Sequence, residues 1–391
     1  MHDESSKGRF WMLSAYYFFI YMGMGSLFTY LPLYYAHRGL TNTEVGYIVS
    51  LCAVVGILAQ PRWGVFADRA RTKNTVTLIA LGGAIVCVWL MPLTEGFKIG
   101  LFLAAVVYTF FQCAYQPLSD TMTLEICAKN GYNFSTIRAM GSLGYAIIAL
   151  VAGHILVRDI RYIFYLYSLF LLIAFLISLP LPKIAGHQRE GEKKRFLDVL
   201  KNKKLIVLYV YTLIIQGTMS FFYSFHVIYS SSVGITTDVI GGAVMLGTAF
   251  EFPFMILFPR IYKRFPVVYI LGAAGLICAV RWFMYAYALN AVTIYFIWIL
   301  NGVGFIVFFL CLTTVVSGTV EPALRASGQA MNALVFGASR ILGSMLGGFS
   351  ADMLGIPSTF AIAGATCIMA TIAFLIVARK MYVEDTAGSV S

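Results

Sequence analysis

Seven charged side chains fall inside long apolar runs of this sequence: Arg62, Asp120, Glu125, Arg138, Glu251, Arg281 and Arg340. A charge at the centre of a bilayer costs at least about 2.5–3.5 kcal/mol on insertion scales, so such groups face a protein interior or a wet cavity. Asp120 and Arg138 stand eighteen residues apart in consecutive apolar runs joined by a short polar link. If the runs are antiparallel helices, the two side chains lie at similar depth and a carboxylate–guanidinium pair is feasible. Glu251 is the acid placed deep in the apolar core of the second half, with Arg281 in the next run. Burial and a nearby cation act oppositely on an acid, and a carboxyl poised between them is what proton coupling needs. A static ion pair is the plainer alternative. Glu125 sits nearer a helix end, where a solvated acid is expected. Arg62, after Pro61, suits an interface or gate. His154 and His226 are expected to be satisfied polar residues.

The elements that must position these groups follow from composition. Of 391 residues 60% are hydrophobic and 12% charged, with a mean hydropathy of +0.83. Soluble globular domains carry about 25% charged residues, and disordered chains combine low hydrophobicity with high net charge, so both classes are excluded. The expected fold class is an all-α membrane protein of twelve transmembrane helices. The apolar segments are 10–36, 43–66, 74–93, 99–127, 134–157, 161–182, 205–231, 238–258, 267–287, 291–318, 325–353 and 356–379. They divide into a six-helix bundle over 1–182, a basic linker over 183–204 and a second six-helix bundle with a short tail over 205–391.

Net charge is +11, and twenty of the 28 Lys and Arg residues fall on the side of the termini and the linker, against four on the other. The positive-inside rule makes that side cytoplasmic and accounts for the basic balance without nucleic acid. The seven cysteines lie in or beside apolar segments with no C-x-x-C pair, and read as packing residues rather than disulfides or metal ligands. No phosphate loop, H-E-x-x-H or G-x-S-x-G is present, which argues against an ATP-driven pump or a hydrolase.

The halves echo one another. Gly39-Leu-Thr-Asn-Thr-Glu-Val-Gly46 opens the second segment and Gly234-Ile-Thr-Thr-Asp-Val-Ile-Gly241 the eighth. Arg138-Ala-Met-Gly-Ser in the fifth is matched by Arg340-Ile-Leu-Gly-Ser in the eleventh. Such echoes support internal duplication, and by the second one Arg340 is expected to point into a central cavity, as Arg138 does. Thr41 and Glu44 predict a capping box. Gly23, Gly25, Gly141, Gly144, Gly343, Gly347 and Gly348 allow close helix approach. The aromatic run from Phe10 to Tyr21 suits an interfacial belt on one side and a cavity wall on the other.

The segment Gly64-Val-Phe-Ala-Asp68-Arg69-Ala-Arg71-Thr-Lys73 resembles the major facilitator signature G-x-x-x-D-R/K-x-G-x-R/K, with Arg71 or its neighbour where the second glycine is expected. Asp68 can cap a helix or pair across the loop, while the cations anchor the cytoplasmic face as a gate motif. Over nearly its whole length the chain resembles the branch of that superfamily containing lactose permease and the phenylpropionate transporter. The resemblance rests on Gln60-Pro61…Gly64…Asp68, the spacing of Asp120 and Arg138, Gln216-Gly217, Val280-Arg281-Trp282 and Glu251. It implies substrate binding by Asp120 and Arg138, with Tyr145 where the permease stacks a Trp on the sugar. It also implies that Gln216, Asn301 and Arg340 complete the site, with proton coupling at Glu251 and Arg281. The His and Glu used for coupling by the permease are replaced here by Asn301 and Gly304.

The function expected is proton-coupled symport of a small organic solute, a sugar or glycoside or an aromatic carboxylate, by alternating access. The expected protein is a monomer in a bacterial cytoplasmic membrane. Its partners are the solute, protons and lipid, with the proton gradient as energy source and neither cofactor nor metal. A drug or metabolite efflux antiporter is the alternative within transporters, and a membrane sensor or lipid-handling protein the alternative outside them.

Overall fold

A computed structural model describes residues 2–94, 96–185, 202–320 and 325–382, so most of the 183–204 linker and the extreme C-terminal tail lie outside the described residues. Every regular element among them is helical. The first half runs α1 (His2–Phe28), α2 (Leu31–His37), α3 (Asn42–Arg69), α4 (Lys73–Cys87), α5 (Lys98–Asn130), α6 (Phe134–Leu156) and α7 (Tyr162–Ser178). The second runs α8 (Lys203–Ser232), α9 (Thr237–Arg264), α10 (Val267–Tyr287), α11 (Thr293–Thr319), α12 (Arg325–Leu354) and α13 (Ile356–Tyr382).

Among the described residues ten helices are long and apolar enough to cross a membrane, and α7 is a shorter apolar helix. Two expected segments are subdivided. The first breaks after Phe28 into α1 and α2, with Pro32 in the opening turn of α2. Proline is tolerated there because the first helical N–H groups have no intrahelical acceptor. The third ends in two short 3₁₀ turns, Val88–Leu90 and Pro92–Thr94.

Local chemistry sets several of the helix ends. The Thr41–Glu44 capping box forms: the Thr41 amide donates to Glu44 Oε2 at 2.8 Å and the Glu44 amide to Thr41 Oγ1 at 3.2 Å. Asn133 and Asn202 cap α6 and α8 by accepting from the amides of Ser135 and Lys204. The first internal echo also has a physical basis. Gly39 and Gly234 both take positive φ, 77° and 85°, where a side chain would be strained. Seven residues later, a Cβ on Gly46 would strike the Ser344 carbonyl and one on Gly241 the Ala149 carbonyl.

Contacts divide the chain into two compact units. One holds α1, α2, α4–α7, most of α3 and residues 236–245 at the opening of α9. The other holds residues 41–50 at the opening of α3, with α8, the rest of α9 and α10–α13. In the first, α1 packs on α6 and α7, and α4 on α5. In the second, α10 packs on α11 and α13, and α8 on α12 and α13. Outward faces are apolar. On α7 Tyr165, Leu169, Leu172 and Leu176 form an exposed stripe at helical spacing, which only lipid would cover. Inside the first unit Tyr16, Tyr17, Tyr108, Tyr115 and Tyr167 are almost fully buried, an unusually hydroxyl-rich core.

Candidate functional site

Asp120 is positioned by α5 and met by α1. The Tyr17 hydroxyl donates to Asp120 Oδ1 at 2.6 Å, and the neighbouring Tyr16 and Ser119 hydroxyls lie 2.7 Å apart. One turn along α1, Tyr21 stacks on Tyr17 with ring centroids 6.4 Å apart and carries the Arg138 guanidinium 4.5 Å from its own centroid. Gln116 donates to the Tyr21 hydroxyl at 2.7 Å and fixes that ring. The glycine of the Arg138-Ala-Met-Gly141 echo makes the arrangement possible, because a Cβ on Gly141 would come within 2.7 Å of Tyr21 Cδ2.

Asp120 and Arg138 thus belong to one cluster but are not the direct ion pair expected. Among the described residues no contact of 4 Å or less joins their charged atoms. The tyrosines of α1 account for this: Tyr17 engages the carboxylate, while the ring of Tyr21 takes a face of the guanidinium as a cation–π partner. Tyr145 is half-buried about two turns further along α6 from Arg138. Its hydroxyl lies 3.1 Å from Thr29 Oγ1, and its ring packs over Gly25, where a Cβ would meet it at 3.2 Å.

A cavity of about 260 Å³ opens beside the acid, lined by Gln60, Gln112, Cys113, Gln116, Pro117 and Asp120. Its walls are α3 and α5, held together by Gly56 against Cys113 and by the Trp63 indole N–H donating to the Phe110 carbonyl at 2.7 Å. Gln112 and Gln116 were not singled out from the sequence, and Tyr17 and Tyr21 entered only as members of the α1 aromatic run. The signal was present: Gln112, Gln116 and Asp120 recur every four residues, a polar stripe on an otherwise apolar helix. A larger opening of about 490 Å³, lined by His154, Ile155, Arg158 and Tyr162, lies at the α6–α7 junction away from this acid.

In the second unit Glu251 and Arg281 are not paired. Arg281 is fully buried; its Nη1 lies 3.2 Å from Met219 Sδ, and its guanidinium packs on the rings of Phe222 and Trp282, at 4.8 and 4.5 Å. Its Nε and Nη2 have no hydrogen-bond partner among the described residues. Glu251 lies on α9, whose backbone approaches α11 closely at Gly247 and Gly302. Its carboxyl makes no hydrogen bond or ion pair with another described residue. The separation follows from direction, since Arg281 turns toward α8 while Glu251 adjoins α11.

Asn301 is buried, with its side chain 3.4 Å from the Tyr223 hydroxyl. Gln216 is buried on α8, and Arg340 is exposed on α12. His226 departs from expectation: it is buried between Phe222 and Trp298, and its Nδ1 has no hydrogen-bond partner among the described residues. His154 Nδ1 lies 2.9 Å from the Leu150 carbonyl.

The expected gate motif builds a polar clamp. Lys73 is buried and pairs with Glu125, with Asp68 at 4.0 Å. Glu125 is therefore an ion-pair partner rather than a solvated helix-end acid, because Lys73 folds onto it from the first turn of α4. Asn74 ties the same turn to the chain after α7, donating to the Pro182 carbonyl at 3.1 Å and accepting from the Ile184 amide at 2.9 Å. Arg69 and Arg71 are exposed, and a Cβ on Gly64 would meet open space. Arg62 is also exposed and folds back to donate to the Leu58 carbonyl at 2.7 Å.

An all-helical, multi-pass protein with a carboxylate, a guanidinium and amides inside its membrane-spanning helices is a transporter in class, not an enzyme. The model of the MFS_1 like family matches residues 10–362, and the chain belongs to that family of secondary transporters. It is 32% identical over 277 residues to the maltose permease of Geobacillus stearothermophilus, covering 69% of each chain. It is 24% identical to the uncharacterized transporter YwbF of Bacillus subtilis, over 94% of this chain and 93% of that one. The sucrose permease of Escherichia coli is 28% identical over 48% of this chain and 47% of its own. In fold it is similar to the crystal structure of the nucleoside transporter NupG (D323A mutant), with a TM-score of 0.85, 18% identity, and coverage of 94% of this chain and 99% of that one.

Proposed function

We propose that this protein is a proton-coupled sugar symporter. The observation that carries the reading is the Tyr17–Asp120 contact beside Arg138. With Oδ1 engaged by Tyr17, the second carboxylate oxygen is left to accept from solute hydroxyls, and the guanidinium offers fixed donors next to it. The half-buried ring of Tyr145 suits the apolar face of a pyranose. Named relatives that are maltose and sucrose permeases support the same substrate class.

In this reading α1 with α2, and α7 with its flanking residues, complete a set of twelve spans in two bundles of six. The side rich in Lys and Arg faces the cytoplasm. The solute site opens to each face of the membrane in turn, and Glu251 carries the coupled proton.

The test is uptake by proteoliposomes holding the purified protein, with and without an imposed inward proton gradient. Accumulation of maltose, sucrose or lactose above the external concentration, collapsed by a protonophore, is the expected result. Equilibration without accumulation would remove proton coupling, and failure to bind or move any sugar would remove the substrate class.

A further inference from the structure

Polar atoms without partners gather at one end of the second unit, around the ring of Phe222. They are Arg281 Nε and Nη2, His226 Nδ1, Ser230 Oγ, the Tyr285 hydroxyl and Trp298 Nε1, and none has a hydrogen-bond partner among the described residues. The Phe222 ring joins them. Its centroid lies 4.7 Å from that of His226, 5.3 Å from Tyr285 and 5.4 Å from Trp298, with the Arg281 guanidinium at 4.8 Å. The Tyr285 hydroxyl faces Ser230 and Trp298, and His226 is within electrostatic reach of Arg281. All five residues are 5% exposed or less. They come from the closing turns of α8 and α10 and the opening turns of α11.

The cluster has a surplus of positive charge. A guanidinium keeps its proton in a protein interior, so Arg281 brings a full charge to a fully buried position. Among the described residues no carboxylate oxygen lies within 4 Å of it. Its Nη1 reaches Met219 Sδ, and the Cys278 thiol is also close, but both sulfurs are weak acceptors. The rings of Phe222 and Trp282 attract the cation without supplying an opposite charge. What remains is Nε–H and Nη2–H, the two donors along one edge of the guanidinium and the fork that binds anions bidentately.

Its neighbours are donors as well. The Trp298 indole can only donate, the Tyr285 hydroxyl is free to do so, and His226 Nδ1 donates in one tautomer. Ser220 and Ser224 of α8 bond back to the carbonyls one turn earlier, whereas Ser230 does not, so its hydroxyl is available. Water could accept from these groups but would leave the cation uncompensated, and a buried charge is stable only when it is paired. An anion satisfies both needs, and full burial among aromatic rings restricts it to a small one.

We infer that Arg281, His226, Ser230, Tyr285 and Trp298 form a binding site for a small monovalent anion of the size of chloride. The anion neutralises Arg281 and ties α8, α10 and α11 together, whatever solute the protein carries. The test is thermal unfolding of the purified protein at fixed ionic strength as sodium gluconate is replaced by sodium chloride or bromide. The unfolding midpoint is expected to rise with either halide and to level off. Tyr285→Phe removes a hydroxyl and keeps the ring. It should raise the half-saturating halide concentration by about tenfold, the size of one hydrogen bond to a charged partner. Arg281→Met should abolish the response. In crystals grown with bromide, an anomalous peak is expected against Arg281 Nε and Nη2. A midpoint indifferent to halide, a response kept at full strength in Tyr285→Phe and Arg281→Met, or bromide absent from this cluster overturns the site. If Arg281→Met does not fold, the Tyr285→Phe shift and the bromide position decide.

Discussion

The hydroxyl of Tyr17 donates to Asp120 Oδ1 at 2.6 Å, linking helices 103 residues apart in sequence. The bond is charge-assisted, a class worth about 1.5–3 kcal/mol when the acceptor is ionised. It also keeps the carboxylate from swinging toward Arg138. Tyr17→Phe should therefore lower thermal stability modestly and weaken sugar binding by about tenfold or more. A double-mutant cycle with Asp120→Asn, read by denaturation, should return a coupling energy in the same range. Additive effects of the two substitutions would show that the bond does not orient the acid.

Asp120 and Arg138 have separate anchors, the Tyr17 hydroxyl for the carboxylate and the ring of Tyr21 for the guanidinium, and in the proposed reading both meet the solute. Asp120→Asn and Arg138→Gln should each abolish sugar binding while leaving the protein folded. Neither should cost the roughly 3–5 kcal/mol that follows when one member of a buried ion pair is stranded. Unaltered affinity in both variants would take these residues out of the site. A collapse of folding in either would indicate a structural ion pair instead.

Much of the frame was legible in the sequence because the bilayer imposes it. Apolar run length gave the helices, and the glycine echo at Gly39 and Gly234 marked two turns that need positive φ. The aromatic run of α1 was read as a belt on one side and a cavity wall on the other; Trp11 is 64% exposed, while Tyr16 and Tyr17 are packed into the helical core. What was not legible is rotation about a helix axis. Depth put Asp120 level with Arg138, but only packing shows that Tyr17 and Tyr21 reach them first. Depth also put Glu125 near a helix end, yet its partner comes from the opening turn of another helix, α4. Arg281 and Glu251 were joined by elimination among charges, and the aromatic faces of Phe222 and Trp282 were overlooked as an alternative home for a guanidinium.

Lys73 and Glu125 form the core of the α3–α4 clamp, with the lysine nearly buried. Lys73→Ala removes a buried cation from beside Glu125 and should destabilise the protein by about 1.5–3 kcal/mol, read as a lowered unfolding midpoint in detergent. Adding Glu125→Gln to that variant removes the carboxylate charge and should restore part of the loss. A double variant no more stable than Lys73→Ala would show that the charge pair does not hold the clamp.

Glu251 has the qualities of a coupling acid for a physical reason independent of any charge partner. Its carboxyl lies in a helix built to cross the membrane and makes no hydrogen bond or ion pair with another described residue. An ionised carboxylate in that setting is stable only with access to water, so in the proposed symport cycle opening and closing of the site would change its protonation. Glu251→Gln fixes the protonated form, and because no ion pair is broken the protein should fold and bind sugar as before. Exchange of labelled for unlabelled sugar across proteoliposomes should continue, since exchange requires no net proton release. Accumulation driven by a proton gradient should be lost. A structural role would behave differently, lowering stability or binding along with accumulation. Gradient-driven accumulation persisting in Glu251→Gln would assign the proton to another acid, with Asp120 next in line.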